Sequence, residues 1–419
     1  MTSKSQIEST VEQIMEEMRR KGGIVSILDD DLYKFSMQHA VWRLYPKVRV
    51  KYRFTDRRPK GNWTTEALLA LKKKIKDLRK LRLTAEERQY CEANFPWMSP
   101  DYWTYLANYR FNPKEVKVWI EKGNLKLEIA GRWCRTILWE VKLLALISET
   151  YYEHIDTNWS EDGQDDIMLQ KSMMLMDAGV AWGDFGTRRR RNFASQERVV
   201  RICKDNPNFT GTSNVYLAMK YKVKALGTMA HEWIMAHAAL FSLKHANRFA
   251  LHAWNSVYQG ALGTALPDTY GTDAFLRDFD GVLARLFDSV RHDSGPWKDW
   301  AEKMIAHYTS LKIDWKTKPL GFTDGNTAES AIEIHKWVVA LGGKCWFGIG
   351  TSMTNDFGEE SPALSIVIKL VEVTDNDGEV IHVVKLSDTP EKASGDKDAV
   401  RVAKWTHFGI PLDAAPQAA

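Results

Sequence analysis

Residues 319–351 read PLGFTDGNTAESAIEIHKWVVALGGKCWFGIGT. Pro319 to Thr323 is a short apolar stretch of strand type, Asp324-Gly325-Asn326 is a turn, and the residues around Ala331 to Leu341 repeat their apolar positions at helical spacing. Gly342-Gly343 caps that helix at its C-terminal side, and Lys344 to Phe347 leads into a second turn, Gly348-Ile349-Gly350-Thr351. Strand, polar turn, amphipathic helix and strand again is the habit of a parallel sheet or an α/β barrel. The same unit recurs upstream, where Val180 to Phe185 leads into Gly186-Thr187-Arg188 and Val223 to Gly227 leads into Thr228-Met229-Ala230-His231. Polar residues that repeatedly follow strands collect at one end of a barrel, where active sites are built from βα loops.

Working outward, residues 151–364 form the barrel, and residues 23–150 a mixed α/β domain. That domain includes a β-branched and aromatic stretch from Val48 to Phe54, a Lys-rich stretch from Leu71 to Leu83 and an apolar run from Thr136 to Ile147. Residues 1–22 read as a helical extension, with Ile7, Val11, Ile14, Met15 and Met18 on one face and Gly22-Gly23 ending it. Residues 405–419, closing on Ala-Ala-Pro-Gln-Ala-Ala, read as a frayed tail.

With 419 residues, 44% of them hydrophobic, the chain can bury a core for two or more domains. A net charge of +4 is too small for a nucleic-acid partner along the whole surface, so any basic site must be local. Cys91, Cys134, Cys203 and Cys345 stand far apart with no C-x-x-C pair, which argues against a disulfide frame or a structural zinc and for a reducing, cytoplasmic setting. No stretch approaches the roughly 18 apolar residues of a membrane span, and none resembles an export signal.

Several segments could carry chemistry, each with a plain alternative. The turn from Gly348 to Ser352 offers unobstructed backbone N–H groups and hydroxyls to a phosphate, or is simply a tight turn. Arg188 to Arg191 places up to four guanidinium groups after a strand, suited to a polyphosphate or to a solvated basic patch. His231-Glu232-Trp233-Ile234-Met235 lacks the second imidazole that a zinc protease needs at i+4. A histidine just past a strand can attack a phosphoryl group, or fill a structural role. Acids in Asp268 to Asp273 and Arg291-His292-Asp293-Ser294-Gly295 could hold Mg²⁺ or ribose hydroxyls, or cap turns. Asp29-Asp30-Asp31-Leu32-Tyr33-Lys34 is equally well a capped helix start.

In their order along the chain, LDDDLYKFSMQHAV (28–41), YRFNP (109–113), ILWEVKLLALISE (137–149), FGTRRRR (185–191), GTSN (211–214), GTMAHEW (227–233), VRHDSG (290–295), FGIGT (347–351) and IVIKLVE (366–372) resemble the nicotinate phosphoribosyltransferase family. The resemblance implies a type II phosphoribosyltransferase fold, an α/β N-terminal domain completed by roughly residues 365–404 and joined to an irregular α/β barrel, assembled as a homodimer. It implies an ATP-dependent enzyme of NAD biosynthesis and salvage. Nicotinate would be joined to 5-phosphoribosyl 1-pyrophosphate, with Mg²⁺ present and with ATP hydrolysed through a phosphohistidine at His231. Glu232 is expected to orient that imidazole. Phe185 and Tyr33 would clamp the pyridine ring, Tyr33 entering from the partner subunit, while Thr228 and Arg291 contact nicotinate. Ser213, in place of an acid found in nicotinamide-using relatives, adds no like charge beside a carboxylate. Arg188, Asp268 and Asp293 would meet phosphoribosyl pyrophosphate, and Gly348, Gly350 and Thr351 would cradle its 5′-phosphate with Asp324 nearby. Lys369 and Lys385 would be supporting cations, and the metal ligands are left open. Pro296-Trp297 and Thr327 depart from the family pattern. Two rival readings are a nicotinamide phosphoribosyltransferase and a catalytically weakened regulatory paralogue.

Overall fold

The computed structural model describes residues 23–389 and 392–412. The helix expected in residues 1–22 lies outside them. Two sheets organise the chain. In the first, five antiparallel strands run in the order β11 (Val380–His382), β10 (Ile366–Thr374), β1 (Arg49–Asp56), β3 (Asn124–Arg132), β2 (Val116–Glu121). β1 shows why it folds so: Val50, Tyr52 and Phe54 are buried, while Arg49, Arg53 and Thr55 between them face solvent. The C-terminal β10 pairs along the whole of β1, from Arg49 with Thr374 to Asp56 with Ile366.

The second sheet is parallel, ordered β5 (Phe209–Thr212), β4 (Trp182–Asp184), β9 (Cys345–Ile349), β8 (Leu320–Phe322), β7 (Ser289–His292), β6 (Thr264–Ala265). The unit at 319–351 is present as β8, the helix Ala328–Ala340 and β9. Thr327, one of the departures from the family pattern, caps that helix by accepting from the Ser330 N–H. Pro296 stands at the N-cap of the helix Trp297–Ser310.

One expected strand is reduced. Val223 to Gly227 makes a single parallel bridge, Ala225 to Thr212, flanked by backbone bonds Thr212 N–H to Lys224 O (3.0 Å) and Leu226 N–H to Thr212 O (2.8 Å). On its other side β6 is only two residues long, and the link is made by the Thr228 hydroxyl, 2.8 Å from Leu262 O and 3.2 Å from Thr264 O. The ring of strands therefore closes through one side chain where a ladder would otherwise run, which is the irregularity of this barrel. The tail also differs from expectation. The helix Lys397–Phe408 runs past residue 404 because Ala403 and His407 are buried and the His407 ring stacks on Tyr270 at 4.7 Å.

The helix Trp139–His154 packs against β10, the helix Thr65–Asp77 and the turn Thr187–Arg189, and is buried on nearly every side. Its Lys142 is sealed from water, and the ammonium reaches Asp30 (2.7 Å) and the Ile27 carbonyl (3.0 Å). The neighbouring Asp29 takes two parallel bonds from Arg190, at 2.7 and 2.8 Å, with both side chains fully buried. Among the described residues no helix is long and apolar enough to cross a membrane, and all four cysteines are free.

Removing one partner of a buried pair leaves an uncompensated charge, at a cost of about 3–5 kcal/mol. Asp29→Ala is therefore expected to lower unfolding stability by about that amount in urea titrations. A loss below about 1 kcal/mol, the level of an exposed pair, would show that the Asp29–Arg190 contact does not hold the two units together.

Candidate active site

A cavity of about 690 Å³ opens between the barrel and the antiparallel sheet. The end of β4 supplies one wall. Asp184, fully buried, accepts from the Gly186 N–H (2.8 Å), the Thr212 hydroxyl (2.6 Å) and Gln196 (2.8 Å), which fixes the turn and leaves Phe185 lining the cavity. Burial pushes the Asp184 pKa up to about 6 against those bonds. Gly348 and Gly350 are needed for this approach: a Cβ would fall 2.6 Å from the Phe185 ring at the first and 2.8 Å from the Phe185 carbonyl at the second. Both line the cavity beside Thr351.

Tyr33 lines the same cavity from its own chain. The helix Leu32–Leu44 that carries it is docked by Leu32 N–H to Ser213 O (2.8 Å) and by the Ser36 hydroxyl to Thr228 O (2.7 Å). The expectation was a ring entering from a partner subunit; within this chain the short turn from Asp29 to Asp31, anchored on Arg190 and Lys142, brings its own Tyr33 to the cavity.

The four consecutive arginines divide. Arg188 and Arg189 line the cavity, Arg188 surrounded by protein yet exposed to the cavity's own solvent. Arg190 is spent on Asp29, and Arg191 lies 3.6 Å from the Tyr152 ring and 4.2 Å from that of Phe357 while bonding Ser361. Arg291, on β7, lines the cavity with a buried Nε that has no protein partner among the described residues. A guanidinium at a cavity wall with no ion-pair partner among the described residues suits an anionic ligand.

His231 is the first residue of the helix His231–Leu240, and its Nε2 stands 2.7 Å from Asp268 Oδ1 and 3.6 Å from Asp293 Oδ2. Burial lowers the imidazole pKa and outweighs the opposing pull of Asp268, so the ring is neutral at pH 7. Asp268 is what orients it. Glu232, expected in that role, lies on another face of the helix, since consecutive residues there diverge by about 100°. It accepts instead from Tyr52 OH (2.9 Å), Trp133 Nε1 (2.8 Å) and the Lys34 ammonium, which also pairs with Glu140.

Asp268 is likewise corrected as a phosphate-side contact. It does not line the cavity, and its second oxygen accepts from Ser294 Oγ (2.6 Å) and Lys385 Nζ (2.8 Å). Thr228 does not line the cavity either, because its hydroxyl is committed to the strand closure described above. Ser213 does line it, but donates at 2.7 Å to Asp31, another cavity residue. A carboxylate therefore stands beside position 213 after all. Asp324 lines the cavity paired with Lys392.

The ligand atoms of His231, Asp268 and Asp293 lie within 4.8 Å of one another. A hard cation such as Mg²⁺ takes oxygen donors and substrate phosphates. Asp268 is filled by its other partners, whereas Asp293 Oδ2 makes only the longer approach to His231, and nearby Arg291 and His231 outweigh burial to hold the Asp293 carboxyl below its usual pKa. Asp293 thus fits such an ion as a single carboxylate donor. The sequence reading missed Asp31, Glu140, Arg57 and Lys392 as cavity residues. Asp31 lay inside a quoted acidic run and Glu140 inside the quoted segment 137–149, where its apolar neighbours gave no sign of a cavity role, whereas Lys392 sits in a C-terminal loop with no motif to signal it.

Comparison with known proteins agrees with this geometry. The nicotinate phosphoribosyltransferase N-terminal domain profile matches residues 28–148, and the nicotinate phosphoribosyltransferase family profile matches residues 180–411. The chain is 42% identical over 405 residues to the nicotinate phosphoribosyltransferase of Methanosarcina mazei, covering 91% of this chain and 98% of that one. It is 39% identical over 402 residues to the probable nicotinate phosphoribosyltransferase of Schizosaccharomyces pombe, covering 91% and 97%. The crystal structure of nicotinate phosphoribosyltransferase from Porphyromonas gingivalis superposes with a TM-score of 0.89 at 38% identity, covering 92% and 99%. That from Vibrio cholerae gives 0.85 at 34%, covering 93% and 94%. With both halves of the chain matched and the cavity residues drawn from both, the chain belongs to the nicotinate phosphoribosyltransferase family.

Proposed function

We propose that the cavity joins the ring nitrogen of nicotinate to C1 of phosphoribosyl pyrophosphate, and that ATP hydrolysis drives this synthesis through a phosphate carried on His231. The observation that carries this reading is one cavity holding two aromatic rings, unpaired guanidinium groups and a neutral histidine fixed by a carboxylate. As the nitrogen–C1 bond forms, the C1–oxygen bond to pyrophosphate breaks, giving nicotinate mononucleotide and pyrophosphate. Arg188 and Arg189 stabilise the charge gathering on the leaving diphosphate. Tyr33 and Phe185 offer faces to the flat ring, and Arg291 offers its guanidinium to the carboxylate. Gly348, Gly350 and Thr351 take the 5′-phosphate. Mg²⁺ supplies neutralising charge at the diphosphate, and Asp293 is the residue that would hold it.

With its Nε2 proton given to Asp268, His231 keeps the Nδ1 lone pair for in-line attack on the terminal phosphorus of ATP, releasing ADP. Water later takes the phosphoryl group. The setting we propose is the cytoplasm, and the homodimer stays a proposal from family likeness; within one chain Tyr33 and Phe185 both line the cavity.

Purified protein supplied with phosphoribosyl pyrophosphate, Mg²⁺ and either nicotinate or nicotinamide should form nicotinate mononucleotide, at a rate or yield that rises with ATP. Preferred turnover of nicotinamide would overturn the substrate assignment, and no turnover of either base would favour a regulatory paralogue. His231→Ala should abolish the rise with ATP, and Asp268→Asn should reduce it on the order of 10²-fold. An unchanged ATP response in His231→Ala would remove that residue from the mechanism.

The pH dependence has a definite sign. Attack needs the neutral ring, and burial holds its pKa below the ordinary histidine value of about 6.5. The ATP-dependent increment should therefore persist through neutral pH and fall only as pH drops through a midpoint under about 6.5. A midpoint above 7 would contradict the neutral imidazole.

A further inference from the structure

Three lysines from the C-terminal segment line the cavity: Lys369, Lys385 and Lys392. Two have carboxylates, Lys385 on Asp268 at 2.8 Å and Lys392 on Asp324. Lys369 makes no ion pair among the described residues. Its Nζ meets only neutral oxygens, the Lys392 carbonyl at 3.2 Å and Ser394 Oγ at 3.1 Å. The charged groups acting on it are mostly cations, namely Lys385, Arg57 and Arg188, and the one acid among them, Asp268, is occupied by His231, Ser294 and Lys385. Arg53, opposite on β1, is exposed.

The geometry points to Lys369 as a phosphate ligand that is uncharged in the empty cavity and takes a proton from solvent when a diphosphate or phosphoribosyl group enters. An ammonium so placed, with like charges around it and no counter-ion, is unfavourable until an anion supplies one. Burial first, then Lys385 and Arg57, bring its pKa down to about 7, against about 10.4 for a free lysine. Phosphate oxygens in the cavity reverse the local field and raise it again, so substrate binding and proton uptake are linked. This rests on reading the cavity as a phosphoribosyl pyrophosphate site.

Calorimetric titration of the protein with phosphoribosyl pyrophosphate, and separately with inorganic pyrophosphate, in Tris and in HEPES at one pH counts the protons exchanged. Lys369→Arg, charged at every pH, corrects for protons lost or gained by the ligands themselves. The wild type should take up roughly 0.9 more protons than the variant at pH 8 and about 0.1 more at pH 6. Its affinity should fall about ten-fold more than that of Lys369→Arg between pH 7 and 8.5. Equal proton counts in the two proteins overturn the inference while leaving the phosphoribosyl pyrophosphate site intact. Absence of binding to both overturns the site reading and the inference with it. A second measurement needs no variant: reductive methylation of Lys369 in the ligand-free protein, followed by mass spectrometry, should rise with a midpoint near pH 7. A midpoint above pH 9 overturns the inference.

Discussion

The cavity depends on a carboxylate–guanidinium pair sealed from water. Asp29 and Arg190 belong to the two different units, and each sits within a few residues of groups that face the cavity: Asp31 and Tyr33 on one side, Arg188 and Arg189 on the other. A bidentate pair fixes orientation as well as distance. Burying both ions is costly unless further bonds offset it: Asn214 donates to Asp29 at 2.7 Å and Gln196 accepts from Arg190 at 3.1 Å, while Arg190 Nε has no partner among the described residues. What the pair contributes is register between the units more than stability, so that a ring from one and guanidinium groups from the other meet in one space.

Around that joint the charges are unevenly matched. Acids at the wall and behind it are satisfied, Glu140 and Glu232 by Lys34 at the wall and Asp268 by its partners behind it. Arg188, Arg291 and Lys369, which face the cavity, lack carboxylate partners among the described residues. Cations held without counter-ions raise the energy of the empty site, and an anionic ligand relieves them. Under the proposed function, part of the binding strength for a polyphosphate is thus stored in the unliganded fold.

The parts legible in the sequence are those whose signal is local. The unit at 319–351 spells strand, turn, helix and strand in one window, such windows point to the parallel sheet, and the β-branched and aromatic stretch at β1 marks one strand of the antiparallel one. What fails is whatever depends on distant partners. Glu232 adjoins His231 in sequence, yet the carboxylate that reaches the imidazole is Asp268, 37 positions away. Four arginines in a row look equivalent until Asp29 and the Tyr152 ring claim two of them. Val223 to Gly227 has strand composition but faces a neighbour too short to pair with it.

Selection of an acid over an amide shows the same limit. A serine at 213 would favour a carboxylate ligand by adding no like charge, but its hydroxyl is given to Asp31, whose own side chain borders the cavity. Two carboxylates about 6 Å apart at an effective dielectric near 20 repel by roughly 3 kcal/mol, and one guanidinium at the same distance cancels that. Burial raises the Asp31 pKa, opposed by the Ser213 hydroxyl and by Arg188, so the repulsion shrinks to the extent that the acid is protonated. On the proposed reading of this cavity, discrimination is set by the balance of Arg291 and Arg188 against Asp31, and Ser213 acts on it through the hydrogen bond its hydroxyl donates to that acid.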